Sequence, residues 1–132
     1  MLGGPPGAAD EGRRRVKREK LGERIKRLRK EQDIGLRVAA TQLGISATYL
    51  SRIENCQESS PPAERVIRAC ADLFKDDFDE LMQLAGRVPE DVEEMIMRDP
   101  GMPAFLRTAR EQKVSAADLM KLLEAKKKRG GK

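Results

Sequence analysis

Apolar residues recur at helical intervals along most of the chain, and the polar breaks between them are short. Leu21, Ile25 and Leu28 are spaced i, i+4, i+7, which predicts one face of a first helix running from about Arg14 to Gln32. The N-terminal half of that helix has only Val16 to bury, so it is expected to fray into a basic arm. Asp33-Ile34-Gly35 makes the turn into residues 36–55, LRVAATQLGISATYLSRIEN, which read as two short helices meeting at Gly44. After QESSPP, Pro61 or Pro62 suits the first turn of a fourth helix reaching Phe74, because its missing N–H would have no partner there anyway. That helix is expected to bury Val66, Ile67, Cys70 and Leu73. A fifth helix, from about Asp77 to Ala85, offers Phe78, Leu81 and Met82 to the core and stops at Gly86. Five helices by that point make a complete small domain.

Within residues 36–55 each spacing has a physical reason. Counting Leu36 as first, Ala40 is fifth, Gly44 ninth, Ile45 tenth, Leu50 fifteenth and Ile53 eighteenth, as a DNA-reading helix-turn-helix requires. Ala40 lies where the two helices approach, so a larger side chain would force them apart. Gly44 takes a positive φ without a Cβ penalty and makes the corner. Ala39, Leu43, Ile45, Leu50 and Ile53 close an apolar seam, leaving a polar outer face on the second helix.

Composition and charge sharpen this picture. The chain has 132 residues, 3% aromatic, with Tyr49 its one tyrosine, so an aliphatic core is expected. It has no apolar run of membrane-spanning length and no charged-then-apolar leader, which points to a soluble, cytoplasmic protein. Cys56 and Cys70 are isolated from each other, and histidine is absent; metal sites, disulfides and enzymatic acid–base work all start from little. No cofactor is expected. The net charge of +5 is unevenly placed: Arg13–Lys30 holds eleven Lys/Arg against two Glu, whereas residues 31–120 carry a net −7. A basic run is commonly only a solvated face. Beside a helix-turn-helix it reads as phosphate attraction driven by counterion release.

The segments LGERIKRLRKEQ, GLRVAATQLGISATYLSRIEN, SPPAERVIRACADLF and DFDELMQLAG together resemble the Xre/Cro-repressor family of helix-turn-helix regulators over residues 20–86. The resemblance implies an all-α fold: a five-helix, lambda-repressor-like DNA-binding domain, followed here by a C-terminal extension of about three short helices. It further implies a homodimer on a palindromic operator in double-stranded DNA, acting as a repressor. Carried over by residue, the helix beginning after Ser46 would lie in the major groove, with Ala47, Thr48, Ser51 and Arg52 at base edges. Arg52 is the sharpest candidate, since a guanidinium can donate two hydrogen bonds to guanine O6 and N7. Its structural alternative is an ion pair with a nearby acid. Phosphate contacts would come from Arg37, Ser46, Tyr49, Asn55 and Gln57, and from Arg13, Arg14, Arg15, Lys17 and Arg18 of the basic arm.

There are three departures from the family pattern. Cys56 stands where a glycine commonly follows Glu-Asn, so Asn55 is expected to supply the left-handed cap. Gln57 and Glu58 replace basic residues, and Leu36 replaces a glutamine that grips the backbone. The basic arm is expected to compensate for the weakened phosphate grip. Residues 1–12 are expected to be disordered and residues 13–86 to form the arm and DNA-binding domain. Residues 87–125 would be a helical extension and 126–132 a basic disordered tail. In the extension, Pro89 opens one helix, Asp99-Pro100 starts another, and Ser115-x-x-Asp118 is a capping box for the last. Val92, Met95, Ile96, Phe105, Leu106, Leu119, Leu122 and Leu123 could pack on the fifth helix or make a dimer surface, the latter favoured. The alternative function is that of an antitoxin or bridging protein, whose helix-turn-helix domain mainly docks a protein partner, such as a toxin or metallopeptidase, through the acidic body. The carboxylates of KDDFDE are read as stabilising the start of the fifth helix rather than as a magnesium site.

Overall fold

The computed structural model describes residues 19–130. Among these there are eight α-helices and no strand: α1 Leu21–Glu31, α2 Leu36–Leu43, α3 Ala47–Glu54, α4 Glu64–Phe74, α5 Phe78–Ala85, α6 Glu90–Arg98, α7 Met102–Glu111 and α8 Ala116–Gly130. The chain divides between Pro89 and Glu90 into two units.

The first unit is built on an aliphatic core. Leu21 and Ile25 of α1, Ala39, Ala40 and Leu43 of α2, and Leu50 and Ile53 of α3 are buried with Val66, Ile67, Cys70, Phe74, Leu81 and Met82. Leu28, Leu73 and Phe78 are only partly buried at its edge, and Phe74 is its largest fully buried side chain. Phe78 is instead covered by Arg68, whose guanidinium carbon lies 3.9 Å from the ring centroid.

Helix ends follow one repeated device. Gly44 (φ 75°) and Gly86 (φ 72°) take the left-handed conformation, as do the non-glycine residues Asp33, Cys56, Lys75 and Lys113. At Cys56 the expectation for Asn55 is corrected: Asn55 stays at φ −95°, and Cys56 occupies the left-handed position where the family commonly has glycine. The next N–H, from Gln57, closes back on the Arg52 carbonyl at 2.9 Å, so the turn sits one residue later than expected.

The helix expected from about Arg14 is interrupted at Glu19 and Lys20, and α1 begins at Leu21; residues 14–18 lie outside the described ones. Lys20 is extended and donates its N–H to the Glu23 carboxylate at 2.9 Å, an N-cap that ends the helix there. Its inward face carries a side chain that periodicity did not mark. Arg24 is buried, and donates from Nε and Nη2 to the two Asp76 carboxylate oxygens at 2.8 and 2.7 Å, and from Nη2 to Glu80 at 2.9 Å. The acidic run before α5 thus has two tasks. Asp77 caps the helix, accepting the Glu80 N–H at 3.0 Å, while Asp76 and Glu80 hold α1 against α5.

Burial alone would push the Asp76 carboxyl up. The Arg24 hydrogen bonds, the Asp77 N–H and the charges of Arg24 and Arg27 outweigh it and hold the group below its ordinary 3.8. A depressed carboxylate contributes stability that is present above the unfolded-state value and is lost as pH falls through the folded one. Melting temperature is therefore expected to drop as pH falls below about 4. Asp76→Asn should be less stable at neutral pH and should show a shallower acid dependence; equal slopes would reject the assignment.

In the second unit none of the described side chains is buried. Met95, Met97, Phe105, Leu106, Met120, Leu122 and Leu123 are all exposed, Met97 most of all at 77%. Helix α7 begins at Met102 with Pro103 in its first turn, not at Pro100; Asp99 accepts the Gly101 N–H at 2.9 Å and forms the preceding turn. The capping box of α8 is formed reciprocally, with Ser115 Oγ accepting the Asp118 N–H and Asp118 accepting the Ser115 N–H, both at 3.1 Å. That helix runs through Lys126–Arg129, which corrects the expectation of a disordered tail over residues 126–132. Alanine, lysine and arginine are strong helix formers, and the basic residues sit at the C-terminal end, where the helix dipole favours them.

Candidate nucleic-acid interface

The α2–Gly44–α3 corner sets the candidate surface. Ser46 is extended (φ −76°, ψ 153°) and its hydroxyl accepts the Tyr49 N–H at 3.0 Å, starting α3 cleanly. Leu50, Ile53 and Glu54 point inward, so α3 turns Thr48 and Arg52 outward on one exposed ridge, at i and i+4. Ser51 is half-buried beside them. Ala47 and Tyr49 pack partly against the core. Arg37, in the first turn of α2, is exposed.

Behind the ridge, α3 is clamped to α1. Glu54 is buried and receives Arg29 Nε at 2.7 Å and Nη2 at 2.9 Å, while Arg29 Nη1 donates to the Ile34 carbonyl at 2.9 Å. Gly22 lies where α1 passes the end of α3: a Cβ built on it would come within 2.0 Å of the Ile53 carbonyl oxygen. Cys70 lies close by on α4; burial first, then the charge of Glu54, pushes its thiol up to about 12, which leaves it an inert core group. Cys56 is exposed.

Several side chains assigned to DNA have partners in the free chain. Arg52 donates from Nε to Glu58 at 2.5 Å and from Nη2 to the Gln57 carbonyl at 3.2 Å, the intramolecular pairing weighed above. Asn55 folds its amide onto the Ser51 carbonyl at 2.9 Å and receives Lys26 Nζ at 3.5 Å. The basic stretch is also less free than its charge count implied. Arg24 and Arg29 are held as described, and Arg27 pairs with Glu19 at 2.7 Å and Glu31 at 3.3 Å. Lys20 and Lys30, with the Asn55-bound Lys26, line a groove between α1 and the end of α3. Arg13, Arg14, Arg15, Lys17 and Arg18 lie outside the described residues.

Sequence reasoning missed Gly22, Arg24, Arg29 and Glu54. Glu54 falls within the YLSRIEN segment, but nothing in local spacing tells a buried acid from an exposed one.

A helix corner of this kind, with a polar ridge on a short second helix, defines a helix-turn-helix protein. Residues 20–95 match the helix-turn-helix domain family, and the chain belongs to that family. It is 37% identical over 73 residues to the HTH-type transcriptional repressor RghR of Bacillus subtilis (strain 168), a match covering 54% of this chain. The matched segment spans 53% of that relative, about half its length. Among solved structures it is similar to a SinR protein/SinI protein complex chain, at 24% identity and a TM-score of 0.44, covering 85% of this chain and 99% of that one. No helix among the described residues is long and apolar enough to cross a membrane.

Proposed function

We propose that this protein is a cytoplasmic, non-enzymatic transcriptional regulator, a repressor that binds double-stranded DNA as a homodimer on a palindromic operator. The observation carrying this is the Thr48–Arg52 ridge, exposed on a helix whose other face is fixed by buried packing and the Arg29–Glu54 clamp. A helix of eight residues reads only a few base pairs, so two copies on half-sites about one helical turn apart, roughly 34 Å, give useful specificity. Ala47, Thr48, Ser51 and Arg52 face the bases in this reading. Arg37, Ser46, Tyr49, Asn55 and Gln57, with the basic arm, hold phosphates and set register. The exposed apolar residues of α6–α8 serve the dimer.

Binding-site selection from random duplexes tests it. The expected product is a palindromic motif, and Arg52→Ala is expected to relax one position per half-site at a cost of about 1–3 kcal/mol there. Salt-labile binding without a motif would favour a second reading. There the exposed apolar residues of the second unit dock a different protein, such as a toxin or metallopeptidase, and the first unit serves that assembly.

A further inference from the structure

Arg52 is held by a specific piece of the following turn. Because Cys56 is left-handed and the Gln57 N–H closes on the Arg52 carbonyl, residues 57 and 58 fold back alongside the arginine that precedes them. Two acceptors are thereby placed on one side of its guanidinium: the Glu58 carboxylate on Nε and the Gln57 carbonyl on Nη2. A guanidinium is a planar fork with five N–H groups and two edges able to make paired hydrogen bonds. One edge is formed by Nε with Nη2, the other by Nη1 with Nη2. The turn occupies the first and leaves the second, which is the end of the side chain.

A half-exposed ion pair of this kind adds little to folding stability. What it does is restrict a long, rotamer-rich side chain to one direction. An arginine fixed in advance loses less freedom on binding and presents its paired donors at one angle.

We propose that Glu58 is a specificity-determining positioning residue. Resting on the DNA-reading function above, it holds Arg52 from behind so that the free Nη1–Nη2 edge meets guanine O6 and N7 end-on. Its negative charge, close to where the duplex would lie, also opposes binding to DNA that offers Arg52 no guanine. Both effects raise the ratio of specific to non-specific affinity.

The test uses the full chain and the duplex chosen by site selection, with the guanine position defined as the one that Arg52→Ala relaxes. The wild type should prefer guanine there by about 5- to 150-fold. In Glu58→Ala that preference should fall several-fold, other positions should keep theirs, and affinity for random-sequence duplex should rise. Melting temperature should not move. In an Arg52→Ala background, removing Glu58 should leave base preference at that position unchanged. An undiminished guanine preference in Glu58→Ala overturns the proposal. So does tighter cognate binding with preference retained, which would make Glu58 a latch that hinders Arg52. If the wild type selects no motif at all, the DNA-reading function falls and this proposal falls with it. A motif that Glu58→Ala reads as sharply as the wild type rejects the positioning role alone.

Discussion

Glu54→Ala is expected to destabilise the first unit by about 3–5 kcal/mol, because it strands a buried charge. Arg29 and Glu54 share two hydrogen bonds, and Glu54 is nearly inaccessible to water. Without the carboxylate, Arg29 keeps only the Ile34 carbonyl, a neutral acceptor for a guanidinium largely cut off from solvent. Domains of this size are stable by roughly 5–15 kcal/mol, so the variant should be partly unfolded or close to it. Replacing both partners removes the unpaired charge. Arg29→Met with Glu54→Ala should therefore recover much of the loss, although each single change is severe. Urea unfolding of the two single variants and the double variant measures this directly. A Glu54→Ala midpoint within error of the wild type would show that the pair is not structurally important.

The second large effect is Gly22→Ala, where two physical terms oppose each other. In an isolated helix, alanine in place of glycine would add about 1 kcal/mol of stability. Here the new methyl would come within 2.0 Å of the Ile53 oxygen and 3.1 Å of Cys56 Sγ. The obstacle is backbone rather than the end of a flexible side chain, so α1 and α3 must separate. Forcing atoms into a packed contact costs about 1–3 kcal/mol and occasionally more, and a main-chain collision belongs at the upper end. The net expectation is a loss of at least about 2 kcal/mol. The move would also displace the helix carrying Thr48 and Arg52, so base preference should blur even in the fraction that stays folded. A melting temperature equal to or above that of the wild type would mean that helix propensity dominates and the close approach is relieved cheaply.

These two sites show where linear pattern stops being informative. The five helices of the first unit, the Gly44 corner, the Ser46 cap, the Asp77 cap and the stop at Gly86 all follow from side-chain period and local turn chemistry. Those are short-range properties, settled within four or five residues of chain. The same holds for the exposed Thr48–Arg52 ridge, which is what remains when Leu50 and Ile53 are assigned to the core.

What only the tertiary structure decided is which charges face inward and which helices touch. Arg24 reaches Asp76 across 52 residues and Arg29 reaches Glu54 across 25, separations over which no period in the sequence is informative. A basic run therefore looked uniformly available for phosphate, although Arg24, Arg27 and Arg29 are engaged within the chain. Gly22 looked like an unremarkable helix interior because the atom that excludes a side chain there belongs to Ile53, on another helix. The left-handed turn at Cys56 rather than Asn55 is by contrast a local matter: Asn55 caps α3, its side-chain amide folding back on the Ser51 carbonyl four residues earlier. Local chemistry set the helices and their ends; only packing between distant segments could set the partners of their charged side chains.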